Sequence, residues 1–514
     1  MTARSVHDVG LRALLSMARG VMVAMLVGSA LQAQTPATRR GLPAVDDTVR
    51  MLPGSAFTFD AFLQRVQRNH PVVRQARLLA TGADGDVTSA LGAFEPKLEA
   101  SWETKRYGST VPGPQTLYYN YADVALKIPT PFGPDFKIGY TRASGRFINP
   151  QLTTPTNGLF SAGFVLPLGQ RLLTDERRNA LRVARALRDV ADAERTSLTN
   201  KLLYSAAKSY AEWYSTALQL QVNREGVQLA QTRYEAIVRR VRVGDAAGID
   251  SIEAAAELNR RLAQVRGAEQ GYFAATMDLT SYLWDARVQP QELSPGTVPS
   301  DSGLGRSVVD SASVPALLAR VVAQHPEVLK AEGKRDQATA DFALARQAVI
   351  PLATAELSAL RAGGGSSSFE FGDALQRDAN FKGSVDVSSP LLFFKERGKL
   401  QSADAKLDRS DLEARATRRD VTLLVRAALY DLSQFGAQLD LQREAVRLYR
   451  ILSAGERARF DAGESTLFLV NTRERQVLDE ELKYVTLQAK YLSARAALAV
   501  AAGVNVGAGE RFLR

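Results

Sequence analysis

Two hydrophobic periods divide this chain. Where apolar residues recur at steps of three and four the pattern predicts helices; where they alternate with polar residues it predicts strands with one apolar face. Residues 175–242 hold the helical period without a proline, and Leu198, Leu202, Ala206, Tyr210, Trp213, Ala217 and Leu220 form one stripe. At about 1.5 Å of rise per residue this stretch predicts a helix ~100 Å long. It turns at 243–248 and returns over 249–283; a second such hairpin is predicted over 395–460, with a turn at 461–466 and a return over 468–502. No globular core needs helices of that length, so each stripe must find a lateral neighbour.

After Pro96 the period changes to two. In 97–107, Leu98, Ala100 and Trp102 oppose Lys97, Glu99, Ser101, Glu103 and Lys105, and similar alternation marks 117–128, 136–142 and 159–168. The second half offers two such stretches, 352–361 and 381–389. Half-apolar strands of about ten residues with aromatics near their ends fit a membrane barrel, and equally a soluble antiparallel sheet with one wet face.

The chain also repeats itself. Asn-His-Pro-Val-Val at 69–73 returns as Gln-His-Pro-Glu-Val at 324–328; the offset from His70 to His325 also carries Phe62, Leu63 and Val66 onto Leu317, Leu318 and Val321, and Pro96 onto Pro351. A fixed long period means one structural unit used twice. In each copy Thr58 or Ser313 offers an N-cap to a short amphipathic helix, and His-Pro breaks it, because a residue before proline is pushed out of the helical region. The proline then suits the first position of the next helix. The helices predicted over 71–93 and 249–283 together approach the length of 175–242, so stacked end to end they would line it. The tips repeat as well: Arg240 and Gly244 match Arg459 and Gly463, a cation and a glycine where a helix C-terminus wants them.

These patterns divide the chain into an expected signal peptide at 1–33, a linker at 34–56, a first repeat at 57–284, a linker at 285–312, a second repeat at 313–503 and a tail at 504–514. The strands fall at about 97–168 and 352–389, and the long hairpins at about 175–283 and 395–502.

Composition narrows the function. With 514 residues, 45% hydrophobic and 23% charged, the chain is not a disordered protein. Arg4, Arg12 and Arg19 precede an apolar run at 21–31 that reads as a secretory signal, too short to span a membrane. No later segment approaches the roughly 18 apolar residues of a transmembrane helix, so an exported, membrane-bound protein must use strands. The net charge of +10 is interleaved with acids, as in 408–420, which predicts solvated helix faces and no nucleic-acid partner. Zero cysteines exclude disulfides and thiolate chemistry. His70 and His325 sit at the two pre-proline breaks, no cluster has metal-ligand spacing, and the glycines and serines at 363–368 lack a following Gly-Lys-Ser/Thr. The sequence therefore predicts neither enzyme, metal nor cofactor.

Signal peptide, duplicated His-Pro break, strands, Pro-Leu at 167–168 and 390–391, very long helix, glycine turn and returning helix follow in an order that resembles the TolC family of outer-membrane efflux channels, over roughly 57–503. The resemblance implies an α+β membrane protein with an internal two-fold repeat. Three subunits would share one β-barrel in the outer membrane of a Gram-negative-type bacterium, and their helices would form a hollow coiled-coil barrel across the periplasm. It implies a passive exit duct of a tripartite efflux or type I secretion system, docked to a periplasmic adaptor and an inner-membrane pump. Family members typically show two strands per half, whereas the first half here offers four; either the barrel has extra strands or an enlarged hairpin decorates it. Arg240, Gly244, Arg459 and Gly463 are the expected docking residues. Leu469 and Thr472 stand where a well-studied member carries two aspartates, so the periplasmic gate is expected to be a hydrophobic ring of Leu469 with Thr472, Asp250 and Glu253 nearby. A secreted or periplasmic helical scaffold and a self-sufficient diffusion porin are the alternatives, and the long helices argue against the porin.

Overall fold

A computed structural model describes residues 50–52, 56–109, 115–146, 153–294, 296–300, 314–363, 380–504 and 506. The expected signal peptide, most of the N-terminal linker and the predicted Ser313 cap lie outside them.

Each repeat begins with two helices hinged at His-Pro: α1 (Phe59–Asn69) and α2 (Pro71–Leu91) in the first, α5 (Val314–Gln324) and α6 (Pro326–Ala348) in the second. Thr58 Oγ1 caps α1 by accepting from the Ala61 N–H at 3.2 Å. The histidines are themselves caps, His70 Nδ1 accepting from Val72 N–H and His325 Nδ1 from Glu327 N–H, both at 3.2 Å. An accepting Nδ1 must be unprotonated, and burial lowers the pKa of both rings in agreement with that role. The matched apolar residues do the same work in both copies. Phe62, Leu63 and Val66 bury against Tyr210 and Trp213, while Leu317, Leu318 and Val321 bury in the cluster holding Val421 and Val425.

The long helices are α3 (Glu176–Arg242, 67 residues) and α7 (Phe394–Asp461, 68 residues), with returning helices α4 (Gly248–Thr280) and α8 (Leu467–Ala501). As expected, α2 and α4 line one flank of α3 in turn; α6 and α8, which the sequence did not place there, line the other. On one side α2 meets its first half through Arg188–Asp84, and α4 its second half through Arg224–Glu269. On the other, α6 pairs Glu327 with Lys201, and α8 pairs Glu474 with Arg233. Both α6 and α8 also pack on α7, so the helices form one wall with α2 and α4 at one edge and α7 at the other.

The segments that join α2 to α3 and α6 to α7 form one antiparallel sheet of β3 (Lys97–Ser109), β4 (Gln115–Ile128), β5 (Asp135–Arg146), β6 (Leu159–Pro167), β9 (Leu352–Ala362) and β10 (Phe381–Ser388), in the order β10-β9-β6-β5-β4-β3. Register sorts its faces. Leu98 pairs with Leu126 and Leu126 with Ile138, whereas Lys97 pairs with Lys127 and Lys127 with Lys137. One face is therefore apolar and exposed, the other polar. Among the described residues no helix is long and apolar enough to cross a membrane.

Three boundaries differ from expectation. Arg50–Leu52 (β1) and Phe57–Thr58 (β2) pair in parallel with Gln291–Leu293 (β7) and Pro299–Ser300 (β8), so parts of both expected linkers are structured. Short parallel strands of two or three residues leave no periodicity to read. Val504 and Val506 pack on the core, which moves the tail boundary past 503.

Glu327 is a test of how the repeats are joined. Burial opposes its ionisation, yet hydrogen bonds from Lys201 and Ser197 and the charges of Lys201 and Lys330 outweigh burial and hold its pKa at about 2. A carboxyl depressed on folding stabilises above its unfolded pKa, and that contribution is lost as pH falls from about 4.5 towards 2. Glu327→Gln should cost on the order of 1 kcal/mol at pH 7, after discounting for its partial exposure. Thermal unfolding of detergent-purified protein checks this: the gap between wild type and variant should narrow below pH 4.5, and a constant gap would refute the ion-pair account.

Candidate functional site

Both long helices end in the same backbone motif. Asp245 N–H donates to Arg240 O at 2.9 Å and Gly244 N–H to Val241 O at 3.1 Å; in the second copy Glu464 N–H donates to Arg459 O at 2.8 Å and Gly463 N–H to Phe460 O at 3.0 Å. This Schellman pairing needs a residue in the left-handed region, and Gly244 (φ 78°) and Gly463 (φ 80°) supply it without a side-chain penalty. The four expected docking residues thus build the two turns. Their side chains part ways: Arg240 Nε donates to Asp245 Oδ2 at 2.8 Å and its guanidinium lies 5.7 Å from the Phe460 ring centre, joining the first tip to the second. Arg459 is exposed.

The expected gate residues separate in the same way. Glu253 Oε1 accepts from Asn471 Nδ2 at 3.1 Å, which links α4 to α8. Asp250 occupies the first turn of α4, where a carboxylate suits the helix N-terminus. Thr472 Oγ1 donates to Phe468 O at 2.8 Å and is used within α8. Leu469 follows the Thr466 cap and is 41% exposed, beside exposed Phe468.

Just above the tips lies a charged interior that periodicity did not disclose. Arg233 Nη1, from α3, donates to Asn471 Oδ1 at 3.0 Å and to Glu474 Oε2 at 2.5 Å, and its Nη2 donates to Glu474 Oε1. Arg457 Nη2, from α7, reaches the same Oε1 at 2.6 Å. One carboxylate on α8 therefore ties three helices. Glu257 on α4 plays the matching part, accepting from Arg261 Nε at 2.8 Å and Arg260 Nη2 at 2.6 Å, with Arg475 Nη2 from α8 at 3.1 Å. Burial opposes ionisation of Glu257, but the Arg260 hydrogen bond and the charges of Arg261, Arg260 and Arg475 keep its pKa below the usual carboxylate value. Glu257, Arg261, Asn471 and Glu474 are all buried. Removing one member of such a group strands its partner, at a cost of roughly 3–5 kcal/mol.

Sequence reasoning missed this group because it searched for what the tips share. Glu257 and Glu474 occupy non-equivalent positions of the two repeats, so matching the copies hides them. The signal that could have found them is charge inside otherwise apolar helical stripes.

Residues 317–504 match the model of the family described as Outer membrane efflux protein. No curated protein matches the sequence. Among solved structures, the chain is similar to CusC (13% identity, TM-score 0.62, covering 90% of this chain and 96% of that one). It is also similar to the CmeC outer membrane channel of Campylobacter jejuni (13%, 0.58, 87% and 85%) and to the open state of the MtrE outer membrane channel of Neisseria gonorrhoeae (16%, 0.59, 87% and 89%). Residues 317–504 thus resemble the outer membrane efflux protein family, and the chain as a whole has the fold of the TolC-like outer-membrane channels.

Proposed function

We propose that the protein is the passive outer-membrane exit duct of a tripartite efflux or type I secretion system, working as a homotrimer with a periplasmic adaptor and an inner-membrane pump. The observation that carries this reading is the one-sided sheet: an exposed apolar face opposite a polar one, set at one end of helices about 100 Å long. An open sheet edge cannot remain unpaired in lipid, so β3 must meet β10 of another copy. The helical wall makes the same demand, because both of its edges expose large apolar residues, Leu78, Ile252 and Phe273 on α2 and α4 and Leu412, Tyr430 and Leu441 on α7. These edges are different surfaces, so they associate head to tail, and head-to-tail contacts close into a ring. Cell fractionation tests the assembly: a trimer in the outer membrane that requires detergent and dissociates on heating supports the duct, and a soluble monomer refutes it.

The tips form the periplasmic closure in this reading. Leu469 and Phe468 line the constriction, with Asp250 and Glu253 at its margin, and the Glu474 and Glu257 groups latch the hairpins above it. Gly244, Gly463 and Arg459 form the outer surface offered to the adaptor. Opening then means moving one hairpin against the other, which breaks the latches. Glu474→Gln leaves Arg233 and Arg457 without a carboxylate and should raise single-channel conductance in planar bilayers several-fold. Leu469→Ser should increase leakage of large antibiotics into cells; unchanged leakage and conductance in both variants would remove the gate from this position.

A further inference from the structure

We infer that the β4–β5 hairpin is lipid-facing barrel wall, so that each chain gives the outer membrane six strands and a ring of three gives eighteen. This rests on the outer-membrane channel reading. The competing arrangement, a hairpin held in water beside a narrower barrel, requires a different pattern of pairing, faces and anchoring.

The pairing is continuous. β3 pairs with β4 from Lys97↔Lys127 to Ser109↔Gln115, and β4 with β5 from Tyr118↔Arg146 to Ile128↔Phe136. β5 then pairs with β6, and β6 with β9. The hairpin thus lies between β3 and β6 in the sheet order. A decorating hairpin would leave those two strands paired with each other.

The faces agree as well. A slip of one residue would turn the hairpin's apolar set to the wet side. Instead the register places Val124 of β4 and Ile138 of β5 on the face that carries Leu98 and Trp102 of β3, Phe160 of β6 and Val385 of β10, and all six are exposed. The opposite face carries Asp123, Lys137, Thr141 and Lys382. At 14 and 12 residues, β4 and β5 exceed the roughly 9–11 that a tilted strand needs to span a bilayer. Lipid acyl chains are the occupant that fits an apolar band that crosses all six strands, through Ala355 and Leu357 on β9, and is exposed on the other five.

The hairpin is rooted where the barrel would meet the helices. Its turn at 129–134 is short, as periplasmic turns of outer-membrane barrels are. Thr130 Oγ1 donates to Pro134 O at 2.6 Å, and the Asp135 carboxylate binds Arg177, from the first turn of α3, at 3.1 Å. Arg177 also lies 5.8 Å from the ring centre of Phe94, beside the start of β3.

The dimensions close. Eighteen strands spaced ~4.8 Å apart and tilted ~40° give a rim of ~110 Å. Three helical walls, each four helices wide at ~9 Å, also give ~110 Å. Four strands per chain would give ~75 Å by the same reckoning. Six strands therefore continue the helical cylinder into the membrane without narrowing, and the polar face becomes the lumen.

The chain has no cysteine, so single substitutions report cleanly. Val124→Cys, Ile138→Cys, Lys137→Cys and, as a reference on β10, Val385→Cys would be treated in outer-membrane vesicles with a membrane-impermeant maleimide. We expect Val124→Cys, Ile138→Cys and Val385→Cys to stay at least tenfold less labelled than Lys137→Cys, and a fluorophore at position 124 or 138 to be quenched by brominated lipid. Rapid aqueous labelling at 124 and 138 with 385 protected puts the hairpin in water and overturns the inference while the channel reading stands. Rapid labelling at 385 as well overturns the channel reading itself.

Discussion

The structure depends on the need of α3 to be covered on both flanks along its whole length. Its buried apolar residues run from Leu181 near the sheet to Ile237 near the tip. No single partner of ordinary length could reach both, so each flank takes two helices in turn, and these come from both repeats. The halves are consequently not two domains joined by a linker. They share a helix, and small residues at Ala184, Ala191, Ala206, Ala207 and Ala230 let the neighbours approach it closely.

Along that shared helix the chemistry changes with distance from the sheet. At the level of α1 and α5 the contacts are apolar and aromatic, with Tyr210 and Trp213 fully buried. Towards the tip the apolar cluster shrinks to Ile237, Ala254 and Leu467, and buried arginine–carboxylate groups take over. A packed apolar core has one good arrangement and resists displacement. Charged groups are held instead by directional bonds between a few atoms at fixed distances. The apolar part of the wall thus adjoins the sheet, and the charged part adjoins the tips.

Much of the fold was legible in order. The 3.6-residue stripe gave the two long hairpins nearly to the residue, the two-residue alternation gave the six strands of the large sheet, and the repeated His-Pro gave matching breaks whose histidines proved to be caps. The site was legible only in part. Arg240, Gly244, Arg459 and Gly463 could be found because both copies carry them, and their backbone role follows from the helix-ending motif itself. Glu474, Arg233 and Asn471 could not, since they meet only across hairpins, as Arg233 meets Asn471, and Glu257, though bonded to Arg260 and Arg261 on its own helix, gains its link to α8 only through Arg475.

By itself, the sequence determined which residues form the long helices, which form the strands of the large sheet, and which face of each is apolar. Those follow from local sterics and from side-chain periods that any short window contains. Only the tertiary structure decided which strand lies beside which, that β4 and β5 fall between β3 and β6, and which carboxylate meets which arginine. Such choices depend on contacts between segments hundreds of residues apart, as where Glu327 meets Lys201 and Glu474 meets Arg233. A period records that a face must be covered; packing settles what covers it.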